Sequence, residues 1–548
     1  MPEWDKEVDL LVAGSGAAAL AAAVTGSHEG LKVLVVESTD MWGGTTAISG
    51  GGLWMPGHPG MEALGKQDSE EAVLRYMEET IGDVGPASSL ERRKAFIRGV
   101  PRVYRLLESL GLEWAPSKDY PDYYPDKPGG MAGGRSIEAQ PFDAKRLGDD
   151  AATWRTADML PPIPIKTDDV WLISRAWSTS DGFIRGAKFF FRTMGGLVTG
   201  KKLYGLGGGY TGALMRIVKD QGTEVMLSSP VTALIKERDA VVGAEVTTPS
   251  GMLRVKASKG VVLGTGGFAR NKEWRLENHG IEGYTSAPEG DVGSGIQVGI
   301  DAGGDVALMD DAWWGASVPD PEGKDAQFLV AERSMPFTIF VDQEGRRFTN
   351  ESASYIDVGH DILEHHRTVP TIPCWMIIDR RHRHRYLFNA FLTGTKKYKE
   401  AGILVEADTL EELASELGMD PKVLTSTVER FNGFARAGVD EDFERGRTAY
   451  DNYYGDPTVH PNPNLGTLEK GPFQAVQVVP GDLGTKGGLL TDEHARVIST
   501  KGAPIPGLYA SGNATASVMG RTYPGAGSTI GPATVFGYLA AMHAASRP

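Results

Sequence analysis

The sequence predicts an α/β fold: a Rossmann-like dinucleotide-binding domain with an inserted α+β domain. Three observations carry that prediction. A strand, a glycine turn, a helix and a second strand open the chain. The composition shifts from about Asp305 to about Asp482, where a tryptophan pair, mixed strands and helical stretches appear. Short strands and glycine turns then return. The expected division is 1–305 for the first part of the dinucleotide domain, 306–482 for the inserted substrate domain and 483–548 for the part that completes the first.

VDLLVA (8–13), a short apolar run with no charge after Asp9, reads as a strand buried on both faces. GSGAAA (14–19) follows, then a small-residue helix and a second strand, LKVLVVE, ending at Glu37. In such a unit G-x-G-x-x-G/A has a physical meaning. Gly14 allows the tight turn, Gly16 lets backbone approach a pyrophosphate, and Ala19 lets helix pack on sheet. The phosphates would lie at the helix N-terminus. Glu37, roughly 20 residues past the turn, stands where a carboxylate bonds ribose hydroxyls.

The loop after the second strand, MWGGTTAISGGGLWMP (41–56), is rich in glycine and hydroxyls, which suits backbone packed against a flavin. The chain has 71 glycines in 548 residues, nearly twice the usual share of about 7 %, without a collagen period. Here the chain resembles the flavoproteins of the fumarate reductase and 3-ketosteroid dehydrogenase superfamily. It matches their E-x(5)-GG-[ST]-[ST] pattern at Glu37, Gly43, Gly44, Thr45 and Thr46. The resemblance implies FAD, held also by Ser15, Ala17, Ala18 and Ser38 and lined by Ser49, Gly50 and Gly51. It implies that Val231 meets the adenine side by its backbone and that Gly266 and Gly267 close over the cofactor. Gly512, Asn513, Ser528 and Ile530 would complete the site from the C-terminal segment.

A net charge of −15 argues against a nucleic-acid partner, which should find a broad basic face. One cysteine, Cys374, excludes a disulfide framework and a C-x-x-C-H haem site, and reads as a buried strand residue. The first strand begins by residue 8 with no basic-then-apolar leader, and no run of eighteen apolar residues follows. A cytoplasmic protein is expected.

Residues 60–112 alternate charged and apolar positions at helical spacing and read as surface helices. Residues 171–204 reverse the local charge: Arg175, Arg185, Lys188, Arg192, Lys201 and Lys202 stand against Asp181, interleaved with large apolar residues. Two readings stand side by side, a packed helix with a solvated basic face and a peripheral membrane contact. RRHRHR (380–385) reads as solvated surface. His360, His365 and His366 are spaced poorly for one helix face, so no metal is expected.

Three tyrosines occupy constrained contexts: Tyr123 in YPDYYP, Tyr355 in GRRFTNESASY and Tyr523 in YPGAGSTIGP. With GSGAAA, GGTTAISGGG and DLGTKGGLLTD, these motifs resemble those of 3-ketosteroid Δ1-dehydrogenases over nearly the whole chain. The resemblance implies a 3-ketosteroid substrate, with Tyr355 as general base and Tyr523 as electrophile on the 3-carbonyl. Gly527 would donate its N–H to the same oxygen, and Tyr123, or its neighbour Tyr120 or Tyr124, would support the base. A hydrogen bond from that supporting tyrosine is expected to lower the pKa of Tyr355. An external acceptor, quinone or oxygen, would reoxidise the flavin. The competing readings are a 3-oxo-5α-steroid 4-dehydrogenase, a fumarate-reductase-like enzyme and a non-catalytic flavin-binding or membrane-docking protein.

Overall fold

The computed structural model describes residues 3–323, 325–392 and 394–547. Its larger sheet has eight strands. Lys6–Ala13 (β1) runs parallel to Val33–Val36 (β2) on one side and to Gly251–Leu263 on the other. Glu224–Met226 extends the sheet past β2, and Pro504–Ala510 extends it past Gly251–Leu263. A strand from near the C-terminus therefore completes a sheet begun at residue 6. The last four residues of β1 are all buried, as a parallel strand covered on both faces requires.

The helix after β1, Ala17–His28 (α1), is buried from Ala17 to Gly26, and half of its residues are alanine. Small residues let it lie between the sheet and the C-terminal helix Ile530–Ser546. A Cβ on Gly537 of that helix would stand 2.3 Å from the Ala18 carbonyl oxygen.

The second sheet has seven strands, all within residues 284–485, so its first strand, Tyr284–Thr285, precedes residue 305. The long strand Phe473–Thr485 pairs with four others and ends at the first sheet's glycine loops. There the Phe268 N–H donates to Thr485 Oγ1 at 3.1 Å. Cys374 starts a fully buried strand, Cys374–Ile378.

The 60–112 stretch forms helices Glu70–Ile81 and Leu90–Ser109, which turn Tyr76 and Phe96 into the core. RRHRHR departs from expectation. It forms a short helix capped by Asp379, with His382 fully buried and its ring nitrogen 3.0 Å from the Glu332 carbonyl oxygen. Burial pulls the His382 pKa down to about 3, so the ring is neutral. Arg381 and Arg385 are spent on the buried Asp379 and Asp456. Local charge density misled here because the adjacent Asp379 and the distant Asp456 pair with the run and packing buries His382.

Candidate active site

A cavity of about 770 Å³ is lined both by the turns of the first sheet and by residues of the second. Of the residues expected at the cofactor, Gly14, Ser15, Gly16, Ala17, Ala18, Glu37, Ser38, Gly44, Thr45, Thr46, Ser49, Gly50, Gly51, Val231, Gly266, Gly512, Asn513 and Ile530 lie on its wall. Gly43, Gly267 and Ser528 stand behind it. The Gly43 N–H donates to Ser15 Oγ at 2.9 Å, and a Cβ there would meet Ala47 at 2.6 Å. A Cβ on Gly267 would stand 2.1 Å from Thr485 Oγ1. Ser528 Oγ donates to the Gly525 carbonyl at 2.7 Å and accepts the Gly525 N–H at 3.0 Å, bracing the loop after Tyr523.

The wall fits a dinucleotide. Helix α1 is capped by Gly16, which has no side chain, and has no acid in its first turn. Its Ala17 N–H donates to Thr46 Oγ1 at 3.1 Å, and the rest of the N-terminus suits an anion. Gly14 has φ +98°, and a Cβ there would lie 2.3 Å from the Gly264 carbonyl oxygen. The Glu37 carboxylate is held at the end of β2 by Ser15 Oγ at 2.6 Å and the Thr39 N–H at 3.0 Å. Sequence reasoning missed a second carboxylate. Asp291 lines the cavity, its Oδ2 is buried without a hydrogen-bond partner, and burial pushes its pKa up to about 6. The signal was EGDVGSG, a glycine-flanked aspartate just before helix Ser294–Asp301.

The three tyrosines meet on this cavity. Tyr355 and Tyr523 have ring centroids 4.8 Å apart, and Tyr123 packs on both, 5.3 Å from Tyr355 and 5.2 Å from Tyr523. Each is placed by a different device. Tyr355 opens helix Tyr355–His366 just after a buried ionic knot, in which Arg347 and Arg445 reach Glu351 at 2.8 and 3.1 Å. Tyr123 is set by pairing of its loop with the Tyr523 loop. Asp122 bridges Gly525, and the Tyr123 N–H donates to the Pro524 carbonyl at 2.9 Å. Asp122 is held in turn by Arg135 at 2.6 Å and the Trp54 indole N–H at 2.8 Å. Gly527, on the cavity wall, has φ +93°, and a Cβ there would stand 2.2 Å from the Gly52 carbonyl oxygen.

The neighbours separate the three candidates for the supporting tyrosine. The Tyr124 hydroxyl turns away and donates to Asp357 at 2.9 Å. The Tyr120 hydroxyl lies 3.2 Å from the Tyr123 hydroxyl and also bonds the Tyr454 hydroxyl. Tyr450 packs on Tyr123 at 4.3 Å. Sequence reasoning missed Tyr450 and Tyr454. Their four-residue spacing in AYDNYY, one helical turn, was the available signal.

The structure does not show the expected lowering of the Tyr355 pKa. Burial pushes the phenol well above 10, and the adjacent Tyr523 adds to the rise. Burial likewise raises Tyr123 well above 10. Tyr523 is raised by burial, an effect partly offset by Tyr355, Thr529 and the Gly527 amide. The Tyr123 hydroxyl bonds Tyr120 rather than Tyr355, and what surrounds Tyr355 is other tyrosines, which add to its desolvation instead of opposing it.

The nucleotide-shaped wall and the fold around it define a class: the chain belongs to the FAD binding domain family, which matches residues 9–530. FAD is its cofactor. Within that class it belongs to the 3-ketosteroid Δ1-dehydrogenase family, on the following likenesses. It is 40 % identical over 561 residues to the 3-oxosteroid 1-dehydrogenase of Mycolicibacterium smegmatis, covering 99 % of this chain and 98 % of that one. It is 35 % identical over 550 residues to the 4-oxocyclohexanecarboxylate 2-dehydrogenase of Sinomonas cyclohexanicum, covering 97 % and 92 %. Its structure matches that of 3-ketosteroid Δ1-dehydrogenase from Sterolibacterium denitrificans in complex with 1,4-androstadiene-3,17-dione. The TM-score is 0.92, at 34 % identity over 99 % of this chain and all of that one.

Proposed function

We propose that this enzyme desaturates ring A of a 3-ketosteroid between C1 and C2. The observation that carries the reading is the convergence of Tyr355, Tyr523, Tyr123 and Gly527 on one cavity with the cofactor wall. FAD, when bound, supplies the acceptor for the hydride that leaves C1. The chain's part is to make C2 acidic. The Tyr523 hydroxyl and the Gly527 N–H bind the 3-carbonyl oxygen and stabilise the charge that grows there as C2 loses its proton. One such donor is worth about 10²–10³ in rate. Tyr355, as the phenolate, takes the C2 proton at its oxygen, and Tyr123 holds the Tyr355 ring from its side. Glu37 and the start of α1 hold the ribose and pyrophosphate.

A steroid suits the rest of the cavity. Ile163, Ile165, Val170, Ile173, Phe189 and Leu392 give it an apolar wall. A small keto acid would need a cation for its carboxylate. The one basic side chain on the described wall, Arg155, instead bonds Thr39 Oγ1 at 3.0 Å, beside Glu37.

The same helices, Thr167–Ser174 and Ser180–Val198, support peripheral docking on a lipid surface that delivers the substrate. Val170, Ile173 and Phe189 line the cavity, while Trp177, Phe191 and Val198 are 75 %, 71 % and 82 % exposed. Lys188, Lys201 and Lys202 are exposed beside them. No helix of the described residues is long and apolar enough to cross a membrane. A quinone or oxygen serves as final acceptor.

The test is anaerobic mixing of the yellow protein with androst-4-ene-3,17-dione. Loss of flavin absorbance with a 1,4-diene product supports the reading. An unchanged spectrum with this and other 3-ketosteroids rejects it.

A further inference from the structure

DLGTKGG contributes two adjacent side chains to the two halves of the site. Thr485 Oγ1 accepts the Phe268 N–H, next to Gly266 and Gly267. Lys486, fully buried, turns the other way. Its Nζ donates to the Thr522 carbonyl at 2.7 Å and to the Gly520 carbonyl at 3.0 Å, the carbonyls one and three residues before Tyr523. The same Nζ lies 4.4 Å from the centre of the Trp313 ring. Trp313 packs edge-on against Tyr523 at 5.4 Å and donates its indole N–H to Asn513 Oδ1, on the cavity wall, at 3.1 Å.

We propose that Lys486 is a positioning residue that sets the Tyr523 hydroxyl and the Asn513 side chain together, through the Gly520–Thr522 carbonyls and the Trp313 ring. Three contacts converge on one ammonium that has little other use. Its counter-ion Asp311 is 3.9 Å away and is engaged at 2.8 Å by His360. A lysine without a well-formed ion pair is a costly group to bury, and burial pulls this one down to about 7. The loop it grips needs holding. TYPGAG is rich in glycine and proline and lies outside any regular element, yet its tyrosine must hold its hydroxyl to within about 0.5 Å of the hydrogen-bonding position for a carbonyl oxygen. Charged or neutral, the amine has enough N–H bonds for both carbonyls. Methionine at 486 would keep the length and apolar stem and remove all three contacts.

This proposal rests on the steroid reading for Tyr523, so its test includes a measurement that needs no turnover. Hydrogen exchange of the 520–528 amides should rise at least about tenfold in Lys486→Met, with exchange in β1 and α1 unchanged. Unchanged exchange in the loop overturns the proposal whether or not any steroid is turned over. Kinetically, kcat should fall about 10-fold or more with KM and flavin content kept. Added to Tyr523→Phe, Lys486→Met should cost much less than it costs the wild type, because most of its effect runs through the Tyr523 hydroxyl. Multiplying losses would mean that Lys486 acts elsewhere, and the proposal falls. If Lys486→Met yields no folded protein, Lys486→Gln takes its place, with the same outcomes deciding.

Discussion

Tyr123 and Tyr523, from opposite ends of the chain, stack with ring centroids 5.2 Å apart and planes 20° apart. The Asp122–Gly525 bridge fixes that register, and Arg135 fixes Asp122. Tyr355 closes the group from the helix that follows the Glu351 knot. The site is thus assembled from two loops and the start of a helix, each held by buried polar contacts, and its variants should fail in different ways.

Tyr355→Phe removes the proton acceptor and little else. Turnover should fall by about 10³ or more, with flavin bound and Tm within about 1 °C of the wild type. Because the Tyr355 phenol is raised well above 10, log kcat/KM of the wild type should still be climbing with pH at pH 9. A residual rate above a few per cent, or a plateau below pH 8, would place the base elsewhere.

Gly527→Ala attacks the backbone. The alanine would need φ near +93° and would set its Cβ 2.2 Å from the Gly52 carbonyl oxygen. The loop has to shift, at a cost of about 2–4 kcal/mol. Both Tm and turnover should drop, turnover by about 10² or more as the N–H leaves the carbonyl oxygen. Normal stability with normal turnover would show that the loop has room to spare.

Glu138 predicts an alkaline weakness. Both its carboxylate oxygens lie 3.0 Å from the Thr167 N–H, and burial pushes its pKa up to about 8 from 4.5. The folded state holds this proton more tightly than the unfolded chain does. The stability it confers is therefore complete below about pH 4.5 and lost as pH rises through 8. Glu138→Gln should match the wild type at pH 5 and exceed its Tm at pH 9 by about 3 °C. Parallel Tm–pH curves for the two proteins would remove Glu138 as the cause.

Docking on lipid should depend on the exposed aromatic residues. The wild type should sediment with anionic vesicles, less so at high salt. Trp177→Glu with Phe191→Glu should abolish sedimentation and leave turnover of a dispersed short-chain ketosteroid unchanged. A wild type that stays in the supernatant with anionic vesicles at low salt would end the docking proposal.

Much of the fold was legible. Apolar runs of four to six residues marked β1 and β2, and glycines between strand and helix marked the nucleotide turn. These signals are local, because a strand's burial and a turn's φ are written in adjacent residues. Asp291 was less legible, as nothing nearby tells a carboxylate that meets a ligand from one that caps a turn. RRHRHR was misread because its partner Asp456 lies far along the chain and the burial of His382 is decided by tertiary packing.

The amino-acid order alone determined that this chain binds a dinucleotide through an N-terminal βαβ unit and carries three tyrosines in constrained motifs. Which tyrosines touch, that Tyr124 faces Asp357 while Tyr123 faces Tyr523, and that Tyr450 and Tyr454 join them, was settled only by the folded chain. So was the protonation of the cluster. A phenol's pKa depends on the water excluded around it, and that exclusion comes from segments hundreds of residues apart packing together.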